Sequence, residues 1–213
     1  MKTTCFSSND ILQMETRYRA AFINTLSGFK SASLIGSIDN RGNTNLAIFS
    51  SVIHIGSNPA LVGFINRPDS SRRHTLENIL ETNCFTINHI HQDIYKKAHQ
   101  TSARYTKDVS EFEAAGFTPE FGKLFQAPYV KESRIKYGLE FAERHDLKIN
   151  GTVLVIGKVV EIIIPENCLQ SHGAINIEMA ETVAISGIDS YHSTNQLSRL
   201  TYAKPENLPE QIV

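Results

Sequence analysis

The tetrad Asp39-Asn40-Arg41-Gly42 separates two apolar, strand-like runs, Ser31 to Ile38 and Asn43 to Phe49, and commits this part of the chain to a hairpin. Asp and Asn hydrogen-bond their own backbone and Gly accepts a left-handed conformation, so the two runs must lie antiparallel. The arrangement recurs on a larger scale. Arg134 to Arg144 and Thr152 to Ile164 carry β-branched and aromatic residues, and His145-Asp146-Leu147-Lys148-Ile149-Asn150-Gly151 reads as the turn of a long hairpin. Leu61 to Ile65 after Asn58-Pro59, Cys84 to Ile90, and Glu181 to Ile185 read as further strands.

Helical periodicity is confined to a few places. Ile11, Met14, Tyr18 and Phe22 recur at spacings of three or four, which predicts one helix over about 9–26, capped by Asn9 or Asp10. Thr75 opens a short helix with Leu76, Ile79 and Leu80 on one face, and residues 93–104 form another helical candidate. Thr106 to Pro128 is interrupted by Gly116, Pro119, Gly122 and Pro128, so it reads as an irregular excursion with at most one helical turn. Roughly six or seven strands with few helices point to a mainly β fold, a closed or partly closed antiparallel barrel rather than a doubly wound sheet.

No repeat or composition shift divides the chain, so a single domain over 1–213 is expected, with a barrel over about 31–190 and a polar tail over about 191–213. With 213 residues, 41% of them hydrophobic, it is large enough for one full core. Twenty-one basic residues against 22 acidic ones give a net charge of -1, which recommends neither nucleic acid nor an acidic membrane as a partner. Three widely spaced cysteines without CxxC fit a reducing compartment, and neither a membrane-spanning run nor a signal-peptide core is present, so a cytoplasmic location is expected.

Two segments carry chemistry. Asn45-Leu46-Ala47-Ile48-Phe49-Ser50-Ser51 ends a strand in small residues, which leaves room for a flat ring to approach the backbone. Arg67-Pro68-Asp69-Ser70-Ser71-Arg72-Arg73-His74-Thr75 precedes a helix and supplies hydroxyls and cations where free N–H groups and the helix dipole favour an anion. Singly, each is also what an ordinary strand end or helix cap looks like. His89 and His91 share a strand face without a supporting carboxylate or cysteine, so no metal is expected there. GxSxG, HExxH, Walker A and GxGxxG are all absent.

The order of segments says more than any one of them. Tyr18-Arg19-Ala20-Ala21-Phe22-Ile23-Asn24, Ser33-Leu34-Ile35-Gly36-Ser37, Asn45 to Ser51, Pro59-Ala60-Leu61-Val62, His74 to Ile79 and Phe85-Thr86-Ile87-Asn88 form a collinear series that resembles the flavin reductase-like, flavoredoxin-like proteins. The resemblance implies a Greek-key split β-barrel, usually a homodimer, that binds FMN. It implies that Asn45, Phe49, Ser50, Ser51 and Val52 lie along the ring and ribityl, that Ser71, Arg72, His74 and Thr75 hold the phosphate, and that Arg67 and Asn88 are further candidates. Ser102, Ala103, Arg104 and Tyr105 would approach from a following loop. Many relatives have a Pro-Arg-Pro-type entry where this chain has Gly28-Phe29-Lys30, which makes Lys30 a candidate charge beside the flavin, and the loop Val52 to Asn58 would control access to the ring.

The activity so implied is hydride transfer from NADH or NADPH to flavin, with the cofactor carrying the redox chemistry and no catalytic side chain fixed. The alternatives are an FMN-binding electron-transfer protein reduced by a partner protein, and a non-catalytic barrel that binds another phosphorylated ligand.

Overall fold

The structure is a computed structural model and describes residues 1–68 and 74–212. The N-terminal segment forms two helices, α1 (Ser8–Gln13) and α2 (Thr16–Thr25), where the apolar spacing predicts one. Two caps explain the break. Ser7, not Asn9 or Asp10, caps α1: its Oγ accepts from the Asp10 N–H at 3.2 Å, and the Asp10 carboxylate accepts from the Ser7 N–H at 2.7 Å. The chain then turns extended at Met14, and the Glu15 carboxylate accepts from the N–H groups of Arg17 (2.8 Å) and Tyr18 (3.0 Å), starting a second helix. Neither helix buries a residue.

The strands follow in order: β1 (Lys30–Ser31), β2 (Ser33–Ile38), β3 (Thr44–Phe49), β4 (Ile53–Ser57) and β5 (Ala60–Asn66). Asp39 builds the first turn as its chemistry predicts. Its carboxylate accepts from the N–H groups of Arg41 and Asn43 and from the Asn43 side chain, each at 2.9 Å, while Gly42 takes φ +88°. β4 occupies residues the sequence reading assigned to a loop; its Ile53 and Ile55 are exposed, so it lacks a buried face to signal it. Helix α3 (His74–Thr82) buries Thr75, Leu76, Asn78 and Ile79, and β6 (Cys84–His89) follows. The excursion then supplies α4 (Tyr95–Gln100), the single turn α5 (Glu111–Ala114), β7 (Pro119–Glu120) and β8 (Tyr129–Val130). The long hairpin is β9 (Lys136–Leu147) and β10 (Thr152–Ile163), after which come β11 (Ala184–Ser186), β12 (Ser190–His192), β13 (Arg199–Leu200) and β14 (Gln211–Ile212).

Seven strands form the main antiparallel sheet in the order β3-β2-β6-β9-β10-β5-β4, and β1, β11 and β12 form a smaller one. Register shifts between Ile156 and Gly157 and between Val159 and Glu161 interrupt the β9–β10 ladder, and bulges of this kind bend and twist a sheet. All six residues of β2 are buried. Its side chains alternate between two cores: Ile35 joins Phe64, Phe85, Ile87, Leu139 and the inner face of α3, whereas Leu34 joins Leu46, Phe112, Val130 and Ile185 on the opposite side. The second core fastens the excursion to the sheet. A polar seam reinforces it: the Thr86 hydroxyl donates to the Pro128 carbonyl at 2.6 Å, and a Cβ on Gly36 would lie 2.2 Å from that same oxygen. Among the described residues no helix is long and apolar enough to cross a membrane.

Candidate functional site

The sheet edge, the start of α3 and the excursion enclose a cleft of about 1110 Å³. Asn45, Phe49, Ser50, Ser51, Arg67, His74 and Thr75 all line it, so the structure brings the small-residue strand end and the helix start onto one cavity. Ser71 and Arg72 lie outside the described residues. Two of the candidates lie apart from the cleft. Val52 does not line the cleft; its side chain packs against the barrel core and its carbonyl accepts from the Ser31 hydroxyl at 3.1 Å. Asn88 is also away from the cleft and fully buried. Its amide donates to the Leu34 carbonyl (3.2 Å) and the Thr86 hydroxyl (2.9 Å), and its oxygen accepts from the Val130 N–H at 2.9 Å. That makes it a polar fastener between sheet and excursion.

Within the cleft, several candidates are held by one another. The Asn45 amide donates to the Thr75 hydroxyl at 2.9 Å and reaches Ser37 Oγ at 3.4 Å, tying β3 to the first turn of α3. The Ser51 hydroxyl donates to the Ile65 carbonyl (3.0 Å) and accepts from the Ile65 N–H (3.1 Å), so it pins the strand end to β5. Arg67 donates to Asn24 Oδ1 of α2 at 2.9 Å. Lys30 does not line the cleft. Its ammonium donates to the carbonyls of Gly187 (2.7 Å) and Asn24 (3.1 Å), clamping α2 to the turn before β12. Burial, and secondarily the charge of Arg67, hold its pKa below the ordinary lysine range.

The opposite wall comes from the excursion and the β11–β12 turn. Ser102, Ala103, Arg104 and Tyr105 line it, as the resemblance implies, and Gln100 Nε2 donates to the Tyr105 hydroxyl at 2.9 Å. Sequence reasoning missed His99, Lys107, Asp108, Glu111, Ile188 and Asp189, which complete this wall. Lys107, Asp108, Ile188 and Asp189 lie in turns and irregular chain with no periodicity to mark a face, and His99 and Glu111 sit on α4 and α5, which are too short to show one. His99 Nδ1 lies 3.0 Å from the Tyr191 hydroxyl, whose pKa is pushed up to about 12, chiefly by burial and then by Asp189. Lys107 pairs with Glu77 of α3 at 3.6 Å. Glu111 is buried, and its Oε2 accepts from the Leu46 N–H at 3.0 Å.

Such a cleft brings a helix start, whose dipole favours an anion, together with a small-residue strand end that leaves room beside the backbone. Residues 29–177 match the family model of the flavin reductase like domain. The chain belongs to that family.

The fold of this flavin reductase-like protein is shared by a split-barrel protein of Shewanella frigidimarina NCIMB 400 assigned as a candidate flavin reductase, at 55% identity and a TM-score of 0.91 over 94% of this chain and all of the other. It is also shared by nitrilotriacetate monooxygenase component B of Bacillus cereus, at 20% identity and a TM-score of 0.81, over 94% of this chain and 100% of that one. An uncharacterised protein of Aquifex aeolicus is 30% identical over 139 residues, which are 62% of this chain and 70% of the relative. The flavin reductase-like protein is therefore a mainly β split barrel with few helices: its turns and strand runs predict a mainly β barrel, and the family resemblance implies the split form.

Proposed function

We propose that this protein binds FMN and acts as a flavin reductase that draws hydride from NADH or NADPH. The observation that carries the reading is the meeting of Phe49-Ser50-Ser51 and His74-Thr75 on one cavity. The residues fit the group. The strand end offers backbone beside small side chains to a ring, and the nine-residue helix α3 begins at the cleft, where a helix start presents backbone donors and the positive end of its dipole to a phosphate.

When bound, FMN supplies the hydride-accepting chemistry. The chain's own residues bind and orient: Asn45 and Ser51 fix the two ends of β3, Thr75 and His74 present the helix start, and the excursion forms the facing wall.

The test is spectroscopic. Protein loaded with FMN and freed of excess should stay yellow, and its visible absorbance should bleach when NADH or NADPH is added without oxygen. A colourless protein sinks the reading; a yellow one unaffected by both donors supports the electron-transfer alternative instead.

We also propose a homodimer. Leu12, Tyr18, Ile23, Leu26 and Phe29 are exposed on and just after two helices that bury nothing within the chain. Sedimentation should give twice the chain mass, and Ile23→Glu should shift the population toward the monomer; a wild-type monomer at high concentration would refute this.

A further inference from the structure

Among the described residues three carboxylates line the cleft, and Glu111 differs from the other two. Asp108 and Asp189 are exposed to solvent, whereas Glu111 is 7% exposed and sits on the one-turn helix α5 against β3. β3 ends the main sheet, so its outward N–H groups have no strand partner, and Glu111 Oε2 satisfies the one at Leu46. One carboxyl oxygen is thereby committed as an acceptor. The group nevertheless borders the same cavity as His74, Thr75 and Asn45, the end at which the proposed function sets a phosphate.

A carboxylate and a phosphate facing each other in a shielded cavity repel, whereas a neutral carboxylic acid can donate to a phosphate oxygen. Burial moves the group toward the neutral form, and an approaching phosphate would move it further. Burial raises the Glu111 pKa above the ordinary glutamate range, with the Leu46 and Glu111 N–H groups and the charge of His74 acting the other way. β3 contributes no ionisable side chain. Among the described residues the other charged groups on the elements packed near the carboxyl are His74 at the start of α3, Lys107 with its partner Glu77, Arg104 and Asp108 on the excursion, His99 and Lys97 on α4, and Glu113 on α5 itself.

We propose that Glu111 holds the anionic end of the ligand as a neutral carboxylic acid, with Oε2 accepting from Leu46 and the second oxygen donating to the phosphate, so that binding takes up a proton. This rests on the flavin reading above. The competing role is purely structural, a cap on the β3 edge.

The experiment is calorimetric titration of the full chain with FMN and with riboflavin at pH 7.5, in Pipes and in Tris, whose ionisation enthalpies differ. Wild type should take up protons with FMN and clearly fewer with riboflavin. Glu111→Gln keeps an acceptor for Leu46 and a donor for the ligand, so it should bind FMN with little uptake and a flattened affinity profile between pH 6 and 9. FMN binding without uptake in wild type, or uptake unchanged in Glu111→Gln, overturns the inference. Uptake that survives Glu111→Gln but vanishes in His74→Gln assigns the proton to His74 and overturns it too. Failure of FMN to bind at any pH removes the flavin reading beneath it, which is a separate result.

Discussion

The Asn45 side-chain amide donates to the Thr75 hydroxyl at 2.9 Å, and both residues are buried where the strand end meets the first turn of α3. This bond sets the distance between the two ends of the cleft. Asn45→Ala leaves a buried hydroxyl without its donor, and we expect a loss of about 1–2 kcal/mol in urea unfolding together with weaker FMN binding. Unchanged stability and affinity would show that the helix start is held by other contacts.

The phosphate end is tested by comparing two ligands. His74→Ala should weaken FMN by about tenfold or more, corresponding to a charge-assisted hydrogen bond of roughly 1.5–3 kcal/mol, and leave riboflavin nearly unaffected. Arg72→Ala, in the stretch outside the described residues, should behave alike. Equal weakening of both ligands would move the phosphate elsewhere.

Gly36 tests how tightly the excursion is fastened. A Cβ there would stand 2.2 Å from the Pro128 carbonyl and 2.6 Å from the Thr86 hydroxyl, and the first is backbone that cannot step aside alone. Gly36→Ala should destabilise the protein by about 1–3 kcal/mol or more and lower flavin affinity, because the displaced segment carries the far wall of the cleft. Thermal unfolding and a fluorescence titration read the two effects; wild-type values in both would contradict the packing.

His89 gives a prediction about acidity. Its ring lies between Thr182 and Tyr137, and burial lowers its pKa from 6.5 to about 4. The unfolded chain therefore binds more protons between those values. The stability associated with neutral His89 is fully present above about pH 6.5 and is lost as the pH falls toward 4, by an amount on the order of 2–3 kcal/mol. Urea midpoints across that window should fall less steeply in His89→Gln than in wild type, and parallel slopes would exclude His89 as the source.

Local chemistry made much of the barrel legible. Asp39 to Gly42, the aromatic positions Tyr137 and Phe141 of β9, the β-branched run of β10, and the punctuated excursion all appear where turn residues and side-chain pattern put them. The failures have physical causes. β4 is an exposed edge strand, so neither face carries a burial signal, and the helix break after Gln13 depends on Glu15 capping a second start that the apolar spacing runs straight across. Asn88 looks like a strand-end ligand because sequence cannot show that the Val130 N–H, 42 residues away, takes its oxygen. Glu111 escaped notice for the same reason: its role depends on an amide of β3 that the sheet order leaves unpaired.

Because β2 sends Ile35 into the barrel and Leu34 under the excursion, one strand is shared by the scaffold and the wall of the cleft. Its amides should exchange with deuterated solvent only through opening of the whole molecule, so the wall cannot melt by itself. Any widening of the cleft has to come from loop displacements around an intact sheet, and a substitution in the barrel interior will be felt by the ligand without touching it.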